Sequence, residues 1–326
     1  MGLSRSCEIE QCSYRYRIYG LNLQSALEIP ELTLTDESST DAEITFGDVP
    51  SGLENSLARY QWLEFGDGRC LLKVPGIGRF LITEGKSIRI DRREDRSRQR
   101  GQGSPVADVR VYLLGSALGA LLHQRRWLPL HVSAVQAESG VWAFTGDSGA
   151  GKSTLAACLH RRFGWPLVSD DVSVLRPHDK IPLLHPGPRK LKLWQDAVNH
   201  LDLHGQRMSQ DLSHTDKYQL YLEDHLPQKP GRLRALVVLD RCAAGETPGL
   251  EQLSGIRAFE AITASIYRPL FAKFFREPEE LMVDKTRLAS EIDVYRFRRQ
   301  WSLEGMVEQL DPLLNVIGAQ PKVYGV

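Results

Sequence analysis

Apolar and polar positions alternate with a period of two along much of the first ninety residues, the signature of half-buried strands. Ser13-Tyr14-Arg15-Tyr16-Arg17-Ile18-Tyr19 interleaves aromatic and basic side chains and ends at Gly20. Residues 29–32 resume an extended segment, and residues 36–41 read as a polar acidic loop. Ala42, Ile44 and Phe46 share one face of a strand that Gly47 ends. Residues 71–74, 78–83 and 87–90 form a small meander, turned by Pro75-Gly76 and by Glu84-Gly85-Lys86. Residues 91–104 are charged and carry no apolar face, so they read as a linker. Residues 1–104 are therefore expected to form a β-rich N-terminal domain.

The period then changes. Val109, Leu113, Ala117 and Leu121 recur four apart, with Leu114, Leu118 and Leu122 beside them, which predicts a helix over 106–126. Residues 128–136 and 141–145 read as two strands joined by Ala137-Glu138-Ser139-Gly140, hence an antiparallel hairpin. A helix ends near Gly164, and short strands follow at 165–168 and 172–175. Residues 183–194 are rich in Pro and Lys, 195–203 read as helix, and 204–230 as polar and irregular. A strand at 233–240 precedes helices at 258–266, 269–275, 284–291 and 303–316, with a strand at 294–297. Residues 105–326 thus predict a second, α/β domain, and the hairpin makes its sheet mixed rather than wholly parallel.

Composition narrows the classes. An apolar fraction of 42% with 25% charged residues describes a chain of 326 residues able to bury a real core. Lys+Arg and Asp+Glu are equal at 41 each, which argues against a nucleic-acid partner and against reading residues 13–19 as a nucleic-acid face. The most apolar run, 111–122, falls short of the ~20 residues that cross a bilayer. Cys7, Cys12, Cys70, Cys158 and Cys242 are odd in number and scattered, unlike a disulfide framework. With no signal-peptide pattern at the start, the expected location is the cytoplasm.

The chemistry centres on Gly146-Asp147-Ser148-Gly149-Ala150-Gly151-Lys152-Ser153-Thr154, which matches the phosphate-binding loop pattern at every fixed position. A strand leads in and a helix leads out. In such a loop, backbone N–H groups and the helix N-terminus hold phosphate oxygens. Lys152 reaches the β- and γ-phosphates, and the Ser153 hydroxyl takes a place on Mg²⁺. Asp170 and Asp171 follow at the end of the next short strand, where a carboxylate can hold Mg²⁺ or take a proton from an attacking hydroxyl. His131 lies in the apolar strand expected beside the loop's own strand, a setting more usual for a core histidine. Arg189, Lys190, Lys192, Lys217, Lys229 and Arg232 are basic residues available to an anion.

Three segments in order, Leu130-His131-Val132-Ser133-Ala134-Val135, Phe144 through Ser153 and Ser169-Asp170-Asp171, resemble HPr kinase/phosphorylase and its relatives. The resemblance covers about residues 128–175. It implies a P-loop kinase core like that of phosphoenolpyruvate carboxykinase, with ATP and Mg²⁺ as cofactors. It also implies catalytic roles for His131, Lys152 and Asp170, with Asp170 as the base and Ser153 on the metal; of the two adjacent carboxylates, Asp171 is then the one expected on the metal side. The region 185–193, where that family places a metal-binding Glu, carries none here. The whole layout, with Tyr19-Gly20-Leu21 and Tyr112-Leu113-Leu114-Gly115-Ser116-Ala117-Leu118-Gly119, is most similar to members found with ribosomal and lasso peptide biosynthesis. The expected function is an ATP-dependent serine kinase acting on a protein or precursor peptide, with the N-terminal domain as a peptide-docking module. Nucleic acid and membrane are not expected partners, and a homo-oligomer is left open. A small-molecule hydroxyl kinase and a nucleotide-binding scaffold are the competing readings.

Overall fold

The computed structural model describes residues 13–92, 106–204, 207–210, 216–221, 229–242 and 245–318. Cys7, Cys12, most of the expected linker and much of 204–230 lie outside them. The alternating stretch builds a nine-stranded sheet. Its strands are β1 (Tyr14–Ile18), β2 (Leu21–Ser25), β3 (Thr33–Leu34), β4 (Ala42–Phe46), β5 (Ala58–Arg59), β6 (Leu63–Gly66), β7 (Arg69–Val74), β8 (Gly78–Thr83) and β9 (Ser87–Asp91). They lie in the order β3-β1-β2-β4-β9-β8-β7-β6-β5. The meander is present as β7, β8 and β9. The segment at 29–32, expected to be extended, is instead a turn, and β2 follows β1 at once in a hairpin whose turn holds Tyr19 at φ +52.

The helical pattern of 106–126 forms α1 (Val106–Tyr112), one π-helical turn (Leu113–Ala117) and α2 (Leu118–Gln124). Its stripe of Val109, Leu113, Ala117 and Leu121 is buried in one cluster with Phe80, Ile82 and Ile88 of the sheet. That cluster also takes in Val172, Val174 and Tyr267 from the later chain, so the apolar contact between the two halves is continuous.

The remaining strands of the second half are β10 (Leu128–Leu130), β11 (Ser133–Ala137), β12 (Gly140–Thr145), β13 (Leu167–Ser169), β14 (Ser173–Leu175), β15 (Leu183–His185), β16 (Lys190–Trp194), β17 (Met208–Gln210), β18 (Lys217–Tyr221), β19 (Gly231–Arg241), β20 (Gly249–Leu253) and β21 (Asp293–Arg299). The helices are α3 (Lys152–Phe163), α4 (Gln195–His200), α5 (Gly255–Ala264), α6 (Pro269–Phe275), α7 (Pro278–Glu291) and α8 (Asp311–Ile317). The chain is therefore a mixed α/β protein with two large sheets. Long β19 is the spine of the second one, parallel to both β12 and β21. β11 is antiparallel to β12, as the hairpin requires. Period-two alternation then sends Trp142 and Phe144 to the face packed with α3 and α8, and Val141 and Ala143 to the face packed with α5 and α7.

Two departures from the sequence expectation matter. Part of the stretch expected to be irregular supplies β17 and β18, which join β16 in a small three-stranded sheet. The helix expected over 303–316 is confined to α8, with turns before it. The described cysteines, Cys70, Cys158 and Cys242, are free and buried, and burial pushes the Cys70 thiol up to about 12.

Aromatic packing fastens the N-terminal sheet to the later helices. Phe65 of β6 is fully buried, stacks on Phe274 of α6 at 4.2 Å, and meets Phe271 edge-on at 5.9 Å. Phe65→Ala is expected to cost about 3–5 kcal/mol, by loss of burial and the cavity left behind. Urea unfolding followed by far-UV circular dichroism and by tryptophan fluorescence checks this. The two probes are expected to shift together, because the cavity opens between the sheet and α6.

Candidate active site

The glycine-rich loop leaves β12 at Gly146 and enters α3 at Lys152. Gly146 has φ +137, and a Cβ there would sit 2.7 Å from the Leu239 carbonyl oxygen of β19, so only glycine passes. Gly151, at φ +83, caps α3 without any side-chain hydrogen bond to the first turn. The donors at this helix start are thus left to a ligand, the arrangement that binds phosphate. Lys152 is almost wholly buried and donates to the carbonyls of Gly146 at 2.8 Å and Asp147 at 3.1 Å. Burial lowers its pKa, and the carboxylates of Asp171, Asp170 and Asp147 oppose that shift.

A paired break in two strands makes the rest of the site. The apolar run 128–136 looks continuous in sequence, but it forms β10 and β11 with His131-Val132 between them. Its neighbour breaks at the same level, β13 and β14 being separated by Asp170-Asp171-Val172. β10 pairs with β14 and β11 with β13, so the two interruptions face each other. His131 is therefore in the gap and not on a strand, and its backbone N–H donates to the Ser265 carbonyl at 2.6 Å.

The adjacent carboxylates end in different settings. Asp170 is 3% exposed, and its Oδ1 accepts from Ser133 Oγ at 2.5 Å and Ser153 Oγ at 2.8 Å. Its Oδ2 accepts from the Lys192 backbone N–H at 2.9 Å. Asp171 adopts φ +73, a left-handed conformation uncommon outside glycine, Asn and Asp, and its carboxylate is about one-third exposed. His131 Nδ1 lies 2.9 Å from the Asp171 carbonyl oxygen and 3.3 Å from its Oδ1. Both partners accept, so Nδ1 carries the proton and Nε2 is left to face other groups. Burial pushes the Asp171 carboxyl up, but the hydrogen bond from His131 and the Lys192 and Lys190 charges outweigh it. The carboxyl is held well below the usual range. Lys190 is pulled down to about 8 by burial and by the Lys192 charge.

Apart from Lys190, these groups line one cleft of about 300 Å³. The expected residues Ser148, Gly149, Ala150, Gly151, Lys152, Ser153, Thr154, His131, Asp170 and Asp171 all border it. Gly146 and Asp147 border a second cavity of about 360 Å³, which His131 also lines. Of the basic residues noted in the sequence, Lys192 and Lys217 reach the first cleft, whereas Arg189 binds Thr33 Oγ1 elsewhere. Arg299 and Trp301 had no signal in the sequence, and Ser133 stood in a motif segment without a role of its own. Ser133 anchors Asp170. Buried Arg299 donates to the Ala150 carbonyl and lies against Gly151. Trp301 forms part of the wall.

Mg²⁺ is usually held by one or two protein oxygens together with phosphate oxygens and water, rather than by a protein cage. Ser153 Oγ and the Asp170 carboxylate, in contact beside the loop, fit that donor set. No cluster of three or more His, Cys, Asp or Glu side chains suited to a metal occurs among the described residues. Among those residues no helix is long and apolar enough to cross a membrane.

No family model matches the chain, and no curated protein matches it. Among solved structures it is similar to that of the Hpr(Ser) kinase/phosphatase from Coxiella burnetii, at 11% identity and a TM-score of 0.30. The match covers 58% of this chain and 95% of that one. Likeness at that level carries no functional argument, which rests on the cleft.

The depressed Asp171 pKa has a consequence for stability. A carboxyl with a folded pKa below its unfolded value near ~4 stabilises the fold at higher pH, and that contribution disappears as the group protonates. Asp171→Asn is therefore expected to be less stable than the parent protein at pH 7. The gap should narrow progressively as pH falls below about 4. Thermal melts of both proteins from pH 7 to pH 2.5 test it, and a gap independent of pH would rule out the ion-pair account.

Proposed function

We propose that the protein is an ATP-dependent kinase that phosphorylates a hydroxyl group, and that the acceptor is a serine on a protein or peptide. The observation that carries this reading is the convergence of two features on one cleft. A complete phosphate-binding loop forms one wall. An open carboxylate tethered to a histidine, Asp171 with His131, stands on the other. A loop alone accounts for nucleotide binding. The added carboxylate accounts for activation of an acceptor oxygen.

The roles of the paired carboxylates follow from their surroundings, and they exchange those expected from the sequence. Asp170 accepts three hydrogen bonds in a buried position and touches Ser153, which suits the metal side. Asp171 stands open to the cleft and ionised, which suits the proton acceptor. Bound Mg²⁺ would supply neutralisation of phosphate charge beside Ser153 and Asp170. As the acceptor oxygen bonds to the terminal phosphorus, the bond to the ADP oxygen breaks and the hydroxyl proton passes to Asp171. Lys152 and the N–H groups starting α3 stabilise the charge on the transferred group. His131, donating through Nδ1, holds the Asp171 carboxylate in place.

The serine and the peptide nature of the acceptor rest on the resemblance of the three motif segments. The exposed edges of the N-terminal sheet, β3 and β5, are surfaces where an extended peptide could add a strand. A small-molecule acceptor is the alternative, decided by the same assay with a different acceptor set.

Phosphotransfer from ATP to serine-containing peptides, read by mass, is the test. Lys152→Ala and Asp171→Asn are each expected to lower the rate by at least about 100-fold. Asp171→Asn should leave ATP affinity within about threefold of the parent, because its role is on the acceptor side. A fully active Asp171→Asn enzyme would return the base role to Asp170. Binding of ATP with no turnover on any hydroxyl acceptor would favour a nucleotide-binding scaffold.

A further inference from the structure

The lining of the cleft mixes charged groups with a short apolar stretch. Near the loop stand Lys152, Lys192 and Lys217 with the two carboxylates. Trp301, Leu303 and Met306 line the same cleft. The position of Trp301 is fixed by the strand that precedes it. Arg299, at the end of β21, is buried, donates to the Ala150 carbonyl at 3.3 Å, and would lie 2.5 Å from a Cβ on Gly151. Trp301 is only two residues further along the same chain, so it is held beside the start of α3. Met306 is fully buried beneath this region, whereas the Trp301 side chain stays 42% exposed. The Arg241 guanidinium lies 5.5 Å from the centre of the Trp301 ring.

Resting on the nucleotide-binding reading above, we propose that Trp301 is the platform on which the purine base of the nucleotide stacks, with Leu303 and Met306 as its apolar border. A large aromatic ring left half exposed inside a cleft is an unusual use of apolar surface, and a flat ligand would cover it. The guanidinium of Arg241 on the ring gives a layered arrangement of cation and indole, to which a base adds a further layer. The phosphates run back along the α3 N-terminus toward Lys152, and the base occupies the end farthest in chemistry from the carboxylates. Trp194 also lines the cleft and is the rival platform. Its ring is approached by the Lys217 ammonium at 5.5 Å, and Lys217 is close enough to act on Lys152. Trp194, equally exposed at 42%, therefore stands with the lysine beside Lys152, where the phosphates lie, whereas Trp301 follows Arg299 at the start of α3.

The test separates base from phosphate. Affinities for ATP and for inorganic tripolyphosphate, both with Mg²⁺, are measured by calorimetry for the parent protein, Trp301→Ala, Trp301→Phe and Trp194→Ala. Stacking on an aromatic side chain is worth enough that Trp301→Ala should weaken ATP by about 10-fold or more. Tripolyphosphate should bind Trp301→Ala within about twofold of the parent, and Trp301→Phe should recover most of the ATP affinity. Unchanged ATP affinity in Trp301→Ala, or a base-selective loss in Trp194→Ala instead, overturns the proposal. Equal loss of both ligands in Trp301→Ala, unrescued by phenylalanine, overturns it too, by showing that Trp301 only supports the loop. A parent protein that binds neither ligand refutes the nucleotide-binding reading itself. One that binds both, with Trp301→Ala unaffected, refutes only the platform.

Discussion

The buried carboxylate of Asp170 is the constraint around which the half of the chain that carries the cleft is arranged. A charge this far from water is tolerated only if its lone pairs are met by donors. Those donors come from three separate pieces of chain: Ser133 on β11, Ser153 on α3 and the backbone of Lys192 on β16. Meeting the requirement therefore fixes the loop helix, the hairpin and the small three-stranded sheet relative to one another. The same requirement explains the break between β13 and β14. An unbroken strand would carry its side chains to alternate faces and could not present two successive carboxylates to one cleft. The left-handed backbone at Asp171 provides the reversal that does so.

The N-terminal sheet takes part in this arrangement from behind. Tyr19, in the turn between β1 and β2, is buried, and its hydroxyl donates to the Val172 carbonyl at 3.2 Å, one residue past Asp171. Its own N–H donates to Pro186 at 3.0 Å, and Arg176 donates back to its carbonyl at 2.7 Å. Arg176 in turn lies 4.3 Å over the ring of Trp127, at the start of the chain that breaks at His131. The turn of one sheet thus braces both segments of the paired break in the other. This bracing gives the N-terminal half a physical role in the geometry of the cleft.

What the sequence made legible was local. The phosphate-binding loop, the hairpin ahead of it and the meander of β7 to β9 each depend on residues within a few positions, and glycines mark their turns. The helix over 106–124 was legible because its buried stripe repeats every fourth residue. The break at His131 was not, because Leu128 through Gln136 is as apolar as a continuous strand, and the interruption is imposed by its neighbour. The small sheet was hidden because β17 and β18 are polar and partly exposed, so no alternation announces them. Arg299 and Trp301 carry no motif. They enter the cleft only because β21 runs parallel to β19, a pairing between segments more than fifty residues apart. The division between Asp170 and Asp171 was equally invisible, since adjacent identical residues differ only in what the fold packs against each.

That division shows how environment separates two adjacent, identical side chains. Asp170 is held by neutral donors, two hydroxyls and one backbone N–H, and it has little freedom to turn toward a substrate. Asp171 is held by His131 and the nearby lysine charges, which favour the ionised form yet leave one side facing the cleft. Strong acidity makes a poor base in water, so the arrangement would be a weakness in a reaction limited by proton removal. The proposed phosphoryl transfer, through a loose transition state, would not be limited in that way. Little negative charge builds on the attacking oxygen until late, and an acceptor carboxylate chiefly orients the hydroxyl and collects its proton at the end. A carboxylate that is always ionised and firmly placed is then better suited than a more basic one that is mobile. The tether between His131 and Asp171 supplies that placement, and the paired strand break is what brings its two ends together.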